Sequence, residues 1–241
     1  ETNNDVELIW NESIDNCNYM FYQCSAITEI NLSNFDTSTV TTMIGMFYNC
    51  SSLISLDLSN FNTTRVTNMQ YIFSNCPQLI SLDMSYFDTS LVENMRYMFG
   101  NCTLLTLLNL TNFNTQRVKN MTGMFYNCSS LSSLDLSSFN TSQTISMHSM
   151  FAYCSSITSL DLSNFDTSKI TDMYGMFGIC SSLKFLDISN FDTSNVISIN
   201  SMFSGCTSLI SLNLSNFNTS LSISMKHMFY HCSKLSSLDL S

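Results

Sequence analysis

Charge is scarce in this chain, and positive charge most of all. Of 241 residues only eight are Lys or Arg, against eighteen Asp or Glu, for a net charge of −10. That balance excludes a basic footprint for nucleic acid or for an anionic membrane surface. No apolar run approaches the roughly 18 residues of a membrane span. One proline, one tryptophan, six glycines and three histidines complete the shortages. No Gly-rich phosphate loop, Ser-His-Asp set or Cys-His set can be read in such a chain. Hydrophobic residues still make up 44%, and their regular order argues against disorder. The sequence opens at Glu1 without a charged-then-apolar leader, and reads as a mature or excised segment.

What is abundant is repetition. Nine of the ten cysteines stand at 24, 50, 76, 102, 128, 154, 180, 206 and 232, always 26 apart. A fixed internal period overrides the usual length-based domain count. The chain holds nine such periods and seven residues more. In the block from Cys50 to Cys76, Leu53, Leu56 and Leu58 precede Phe61. Alternation over Leu56-Asp57-Leu58 turns both leucines inward and Asp57 outward, which is a short strand. A single strand per period cannot pair within its own repeat and must pair in parallel with the next. Val66, Met69, Ile72, Phe73 and Cys76 then change to a spacing of three, three, one and three, which predicts a short helix or 3₁₀ segment. Asn62-Thr63-Thr64 is placed to cap it. Thr37, Thr63, Thr89, Thr115, Thr141, Thr167, Thr193 and Thr219 recur without exception. A threonine in every coil reads as a turn residue bonding its own backbone rather than as a ligand contact.

The fold class expected is an α/β repeat solenoid, with one short parallel strand and one short helix or 3₁₀ segment per coil and about nine coils. It forms a single solenoid domain over 1–241. Residues 1–24 are a degenerate N-terminal coil, 25–232 eight regular coils, and 233–241 the start of a further coil. Asp5-Val6 aligns with Asp57-Leu58, Ile9 with Phe61 and Cys17 with Met69, so the tenth cysteine is a substitution in a methionine column. At 144 and 222 the valine column holds Thr and Ser, with Ile145 and Ile223 one place later. A local shift is expected there.

Taken whole, the L-x-x-L-D-L-S-N-F-[DN]-T-S and M-x-x-M-F-x-x-C-S-S blocks, as in Leu160 to Ser168 and Met173 to Ser182, resemble the BspA-like leucine-rich repeat family in its 26-residue bacterial and mycoplasma-type branch. The resemblance runs along essentially the full chain. It implies a leucine-rich-repeat-like solenoid of secreted or cell-surface proteins, used in attachment and in host or matrix contact, and no enzyme.

The chemistry-bearing residues have modest readings. Neighbouring cysteines in a column about 4.8 Å apart could meet disulfide limits. Buried free thiols are the preferred reading, because an odd column cannot pair fully and free Cys behaves as a small hydrophobe. Zinc is disfavoured, with no C-x-x-C pair and no converging His. His227 and His231 are four apart, a spacing that can bind metal, but they lack a third ligand and read as solvated surface. His148 has no partner visible in sequence. The methionines, such as Met43 and Met46, read as core filler. No cofactor and no metal is expected.

The outward strand face carries Ser, Asp or Asn, then Ser. Stacking places Asp57, Asp83, Asp135, Asp161 and Asp187 in a carboxylate track interrupted by Asn31, Asn109 and Asn213. Divalent cations between neighbouring Asp are the alternative to a solvated face. Phe185 and Leu107 intrude on this ribbon and are the candidate contact spot. Eleven N-x-S/T sequons occur, of which Asn62, Asn140 and Asn218 share a turn position and are the candidate glycosylation sites. The two ends carry the same repeat positions, with Val6 and Ile9 at one and Leu235, Leu238 and Leu240 at the other. A heterologous head-to-tail contact between them would build a fibre. The function expected is therefore non-enzymatic adhesion or filament assembly, extracellular or at the cell surface. Its partners would be the chain itself, or a host or matrix protein or glycan. Flat-face binding of glycan or ice, or a place within a larger surface adhesin, is the alternative.

Overall fold

The computed structural model describes residues 13–240. Its regular elements are very short: β1 (Glu29–Ile30), β2 (Ser55–Leu56), β3 (Ser81–Asp83), β4 (Leu107–Asn109), β5 (Ser211–Asn213) and β6 (Ser237–Asp239). They pair in parallel between neighbouring coils, with Ser81 opposite Leu107, Leu82 opposite Leu108 and Asp83 opposite Asn109. The same 26-residue offset joins β1 to β2 and β5 to β6. Side chains follow the pleat: Leu82 and Leu212 are buried while their strand neighbours are exposed. Elsewhere on each coil, parallel bridges join Asn16, Thr42, Asn68, Asn94, Asn120, Ser146, Asp172, Ser198 and Ser224 in one unbroken column. The result is a stack of coils with the core running along its axis.

No helix, α or 3₁₀, occurs among the described residues, so the helix expected in each coil is corrected. Its place is taken by consecutive turns whose alternate amides leave the coil. Met43, Gly45, Phe47 and Asn49 donate to the carbonyls of Asn68, Gln70, Ile72 and Ser74 in the next coil, at 2.8 to 3.0 Å. Met46, Tyr48 and Cys50 donate three residues back, to Met43, Gly45 and Phe47. The turns use two left-handed residues per coil, here Gly45 at φ 55° and Asn49 at φ 63°. A right-handed helix accommodates neither. The apolar spacing survives the change of backbone, because Val66, Met69, Ile72, Phe73 and Cys76 are all fully buried.

The core is built of columns, each stacked on itself. Phe21, Phe47, Phe73, Phe99, Phe125, Phe151, Phe177, Phe203 and Phe229 form a continuous ring stack with neighbouring centroids 5.4 to 5.9 Å apart. Beside it stand the cysteines, which are free thiols. Each from Cys50 onward donates to the phenylalanine carbonyl 29 residues earlier. Cys102 Sγ thus reaches Phe73 O and Cys128 Sγ reaches Phe99 O, both at 3.1 Å. Burial pushes the Cys102, Cys154 and Cys206 thiols up to about 12, so they act as neutral donors.

The threonine column is buried from Thr37 to Thr193, but its hydroxyls bond along the stack rather than to their own turns. Thr115 Oγ1 donates to Asn140 O at 2.8 Å and accepts Asn140 N–H at 2.8 Å. Thr37, Thr89, Thr167 and Thr193 make the same two-way clasp to the residue 25 positions on. The own-backbone role belongs to the preceding Asp or Asn, whose Oδ1 accepts the amide two residues ahead, as Asp36 does from Ser38.

The shift expected at 144 and 222 does not occur. Thr144 stays fully buried in the valine column, its Oγ1 donating to Val118 O at 3.0 Å, and Ile145 remains exposed. Ser222 Oγ likewise donates to Val196 O, with Ile223 exposed. A hydroxyl that reaches the preceding coil fills the valine site without moving the chain.

Candidate functional site

The outward strand side is a polar ribbon. Asp57, Asp83, Asp135, Asp161 and Asp187 lie exposed on it. Each carboxylate accepts the amide of the serine two residues on, at 2.9 to 3.0 Å. Hydrogen bonds from those serines hold all five carboxyls below the usual aspartate value. The aspartates are thus turn-formers as well as surface charges. Where asparagine interrupts the track the turn bond is kept, Asn31, Asn109 and Asn213 accepting the amides of Ser33, Thr111 and Ser215. Asn109 also links coils, its Nδ2 donating to Asp83 Oδ1 at 3.0 Å. A depression of the ribbon is lined by Asp161, Ser163, Asp187, Ser189 and Asn190. Among the described residues no group of three or more His, Cys, Asp or Glu could hold a metal ion.

The two apolar intruders point out of this face. Leu107 is 69% exposed and Phe185 59%, but they belong to coils three repeats apart and form separate spots. Ile80 is exposed beside Leu107, whose amide donates to Ile80 O at 3.4 Å. Asn62, Asn140 and Asn218 are exposed on their turns, and their side-chain oxygens accept the amides of Thr64, Ser142 and Ser220. Of the assembly ends, Val6 and Ile9 lie outside the described residues. Leu240 is 69% exposed, whereas its column equivalents Leu58, Leu110 and Leu136 are 2% exposed. Leu238 is exposed as well, and Leu235 is half-buried.

The histidines are not grouped as ligands. His148 finds a partner 24 residues on: its Nδ1 is 3.0 Å from Asp172 Oδ2, and its ring stacks on Tyr174. His227 and His231 each lie against the ring of Tyr230, between them in sequence.

Tyrosines form a second surface array. Tyr22, Tyr48, Tyr71, Tyr97, Tyr126 and Tyr153, one from each successive coil, make an unbroken row of ring contacts with centroids 5.2 to 5.8 Å apart. They come from three different positions of the repeat, so no single column of the sequence reveals them. Glycine makes room for Tyr97 of this row and for Tyr19, whose ring meets that of Tyr22 edge-on. A Cβ on Gly45, at φ 55°, would stand 2.5 Å from the Tyr19 ring, and one on Gly123 would press as hard on that of Tyr97.

No helix of the described residues is long and apolar enough to cross a membrane. No curated protein matches the chain. Among solved structures it is similar to the leucine-rich repeat protein of T. pallidum, at 19% identity over 73% of this chain and 75% of that one, with a TM-score of 0.44. It is also similar to a leucine-rich cell surface protein from Faecalibacterium prausnitzii, at 14% identity over 92% and 75%, TM-score 0.30. A third is the functional domain of InlJ from Listeria monocytogenes, which includes a cysteine ladder, at 16% identity over 78% and 36%, TM-score 0.21. A family model matches residues 1–106, 104–185 and 157–241, in agreement with the resemblance carried by the repeat. The chain therefore belongs to the DUF285 family, described as Mycoplasma protein of unknown function.

Proposed function

We propose that this chain is a non-enzymatic solenoid of the cell surface or extracellular space that works by adhesion and assembly. The observation that carries the reading is the form of the strand face. It repeats Ser, Asp or Asn, and Ser from coil to coil, and the apolar side chains that interrupt its first serine position are Leu107 and Phe185. A repeating face of this kind suits extended, multivalent contact with a matrix protein or a neighbouring molecule. Paired Leu107→Ser and Phe185→Ser substitutions are expected to weaken retention of chain-coated beads on matrix-coated glass. Unchanged retention would remove those two side chains from the contact.

Filament growth is the finer part of the reading. Leu238 and Leu240 present to solvent a face whose equivalents in earlier coils are covered by the coil that follows. That face accepts one more coil of the same repeat, from a longer chain or from a second copy. Light scattering over a range of protein concentrations should then show particles that lengthen as concentration rises, with rods visible by electron microscopy. A single species at all concentrations overturns assembly between copies while leaving the adhesive reading in place.

A further inference from the structure

The acidic residues are confined to part of each coil. Residues 18–28, and the eight equivalent segments that follow at 26-residue intervals up to 226–236, contain no Asp or Glu at all. In a chain of net charge −10 this leaves one face of the stack without negative charge, and it is the face that carries the tyrosine row. The guanidinium of Arg96 lies over two of its rings, those of Tyr71 and Tyr97, at 5.9 and 5.6 Å.

The row changes character along its length. Tyr71 and Tyr97 are stacked with planes 7° apart and centroids 5.8 Å apart, an offset parallel pair. From Tyr97 to Tyr126 the plane turns by 68°, and from Tyr126 to Tyr153 by 61°. These last rings do not form a closed stack, and Tyr153 is 41% exposed. Running alongside is a ladder of side-chain amides. Asn101 Nδ2 donates to Asn75 Oδ1 at 2.7 Å, and Asn127 Nδ2 to Asn101 Oδ1 at 2.9 Å. An Asn amide has two N–H donors and two acceptor lone pairs, so Asn101 retains one of each beyond the ladder.

We propose that the face bearing Tyr97, Tyr126, Tyr153, Asn101 and Asn127 binds an uncharged, extended polysaccharide along the stack axis. The C–H faces of pyranose rings are apolar and pack on aromatic rings, while their hydroxyls both donate and accept and so match the spare capacity of the amides and phenols. Across the three coils of this site, in 96–106, 122–132 and 148–158, Arg96 is the only Lys, Arg, Asp or Glu. One cation is too little to hold a polyanion, which fits a neutral polymer, and the coil-by-coil spacing of the rings fits a repeating one. A proline-rich peptide is the poorer fit, because it docks in grooves lined by aromatic side chains. Contacting rings 5.2 to 5.7 Å apart leave no such groove between them. This surface is separate from the aspartate ribbon and does not require filament growth.

Native electrophoresis of the chain through gels cast with hydroxyethyl cellulose, laminarin or soluble starch tests the proposal, with heparin and poly-L-proline as comparison polymers. Retardation by at least one neutral polysaccharide is expected, and it should persist in about 0.5 M NaCl, where exposed charges are screened. The probe variant combines Tyr126→Ala with Tyr153→Asn. Both replacements already occupy those repeat positions elsewhere, as Ala152 and Asn127, and Asn127 shares the left-handed conformation of Tyr153, so the fold is retained. Its affinity should fall about tenfold or more. Three results overturn the proposal. They are no retardation by any neutral polymer, retardation by heparin or poly-L-proline instead, or unaltered binding by the double variant with a native circular dichroism spectrum. Adhesion lost in the Leu107→Ser and Phe185→Ser chain but polysaccharide retention kept would separate this surface from the strand face.

Discussion

Replacing Thr115 by Val tests whether the buried threonine column fastens each coil to the next. Valine keeps the volume and the branched shape but removes the hydroxyl. Thr115 is fully buried, and its Oγ1 is both donor and acceptor to the backbone of Asn140 at 2.8 Å. Two hydrogen bonds are lost together, and the Asn140 amide and carbonyl are left facing a methyl group. At about 1 kcal/mol per bond the local cost is about 2 kcal/mol, which corresponds to roughly thirtyfold greater opening. Because coils couple mainly to their neighbours, a global melt would dilute this effect. Hydrogen exchange resolved to single residues reads it directly. The Asn140 amide should lose protection in Thr115→Val and keep it in Thr115→Ser. If protection falls instead at residues 116–118, the hydroxyl acts within its own turn and the clasp is refuted; unchanged exchange at Asn140 refutes it equally.

Ile179 occupies a left-handed position at φ 60° where Asn49, Asn75, Asn101 and Asn127 stand in other coils. A residue with a branched side chain costs about 1–2 kcal/mol there, so Ile179→Asn should raise stability by about 1 kcal/mol in urea unfolding. The Cys102, Cys154 and Cys206 thiols lie at about 12 in the fold, against an ordinary 9.0. Folded pKa values above the unfolded one favour the fold below pH 9 and lose that contribution as pH climbs from 9 to 12. Urea midpoints should thus hold steady from neutral pH to about 9 and fall beyond it, while a thiol reagent at about pH 8 reacts with these three only after unfolding.

Much of the architecture was legible in the residues because the period is strict. Cysteines 26 apart fix the coil length, and the L-x-L triplets fix the strand register and which side chains face outward. Alternation alone places Leu107 and Phe185 on the surface, and they are exposed. The helix was the error, and its cause is specific. Spacing of apolar residues at three, three, one and three is compatible with a helix, yet it is equally satisfied by a run of turns that buries the same side chains. The discriminating signal was present in other columns: Gly45, Gly123 and Gly175 share one position, and Asn49, Asn75, Asn101, Asn127 and Gly205 share another. Residues that tolerate positive φ, repeated four apart in a coil, indicate turns.

The sequence by itself determined the period, the parallel pairing, the composition of the core and the polar character of the strand face, because each of these depends only on which residue types recur at which interval. The tertiary structure alone decided what the hydroxyls and rings do across coils. Thr115 reaches Asn140, Cys102 reaches Phe73, and Tyr97 meets Tyr126, through contacts set by how one turn lies over the next. Those partners are 25 to 29 residues apart in sequence and, for the tyrosines, occupy different repeat positions. Periodicity shows that coils stack, whereas the path of the backbone in each turn fixes which atoms meet when they do.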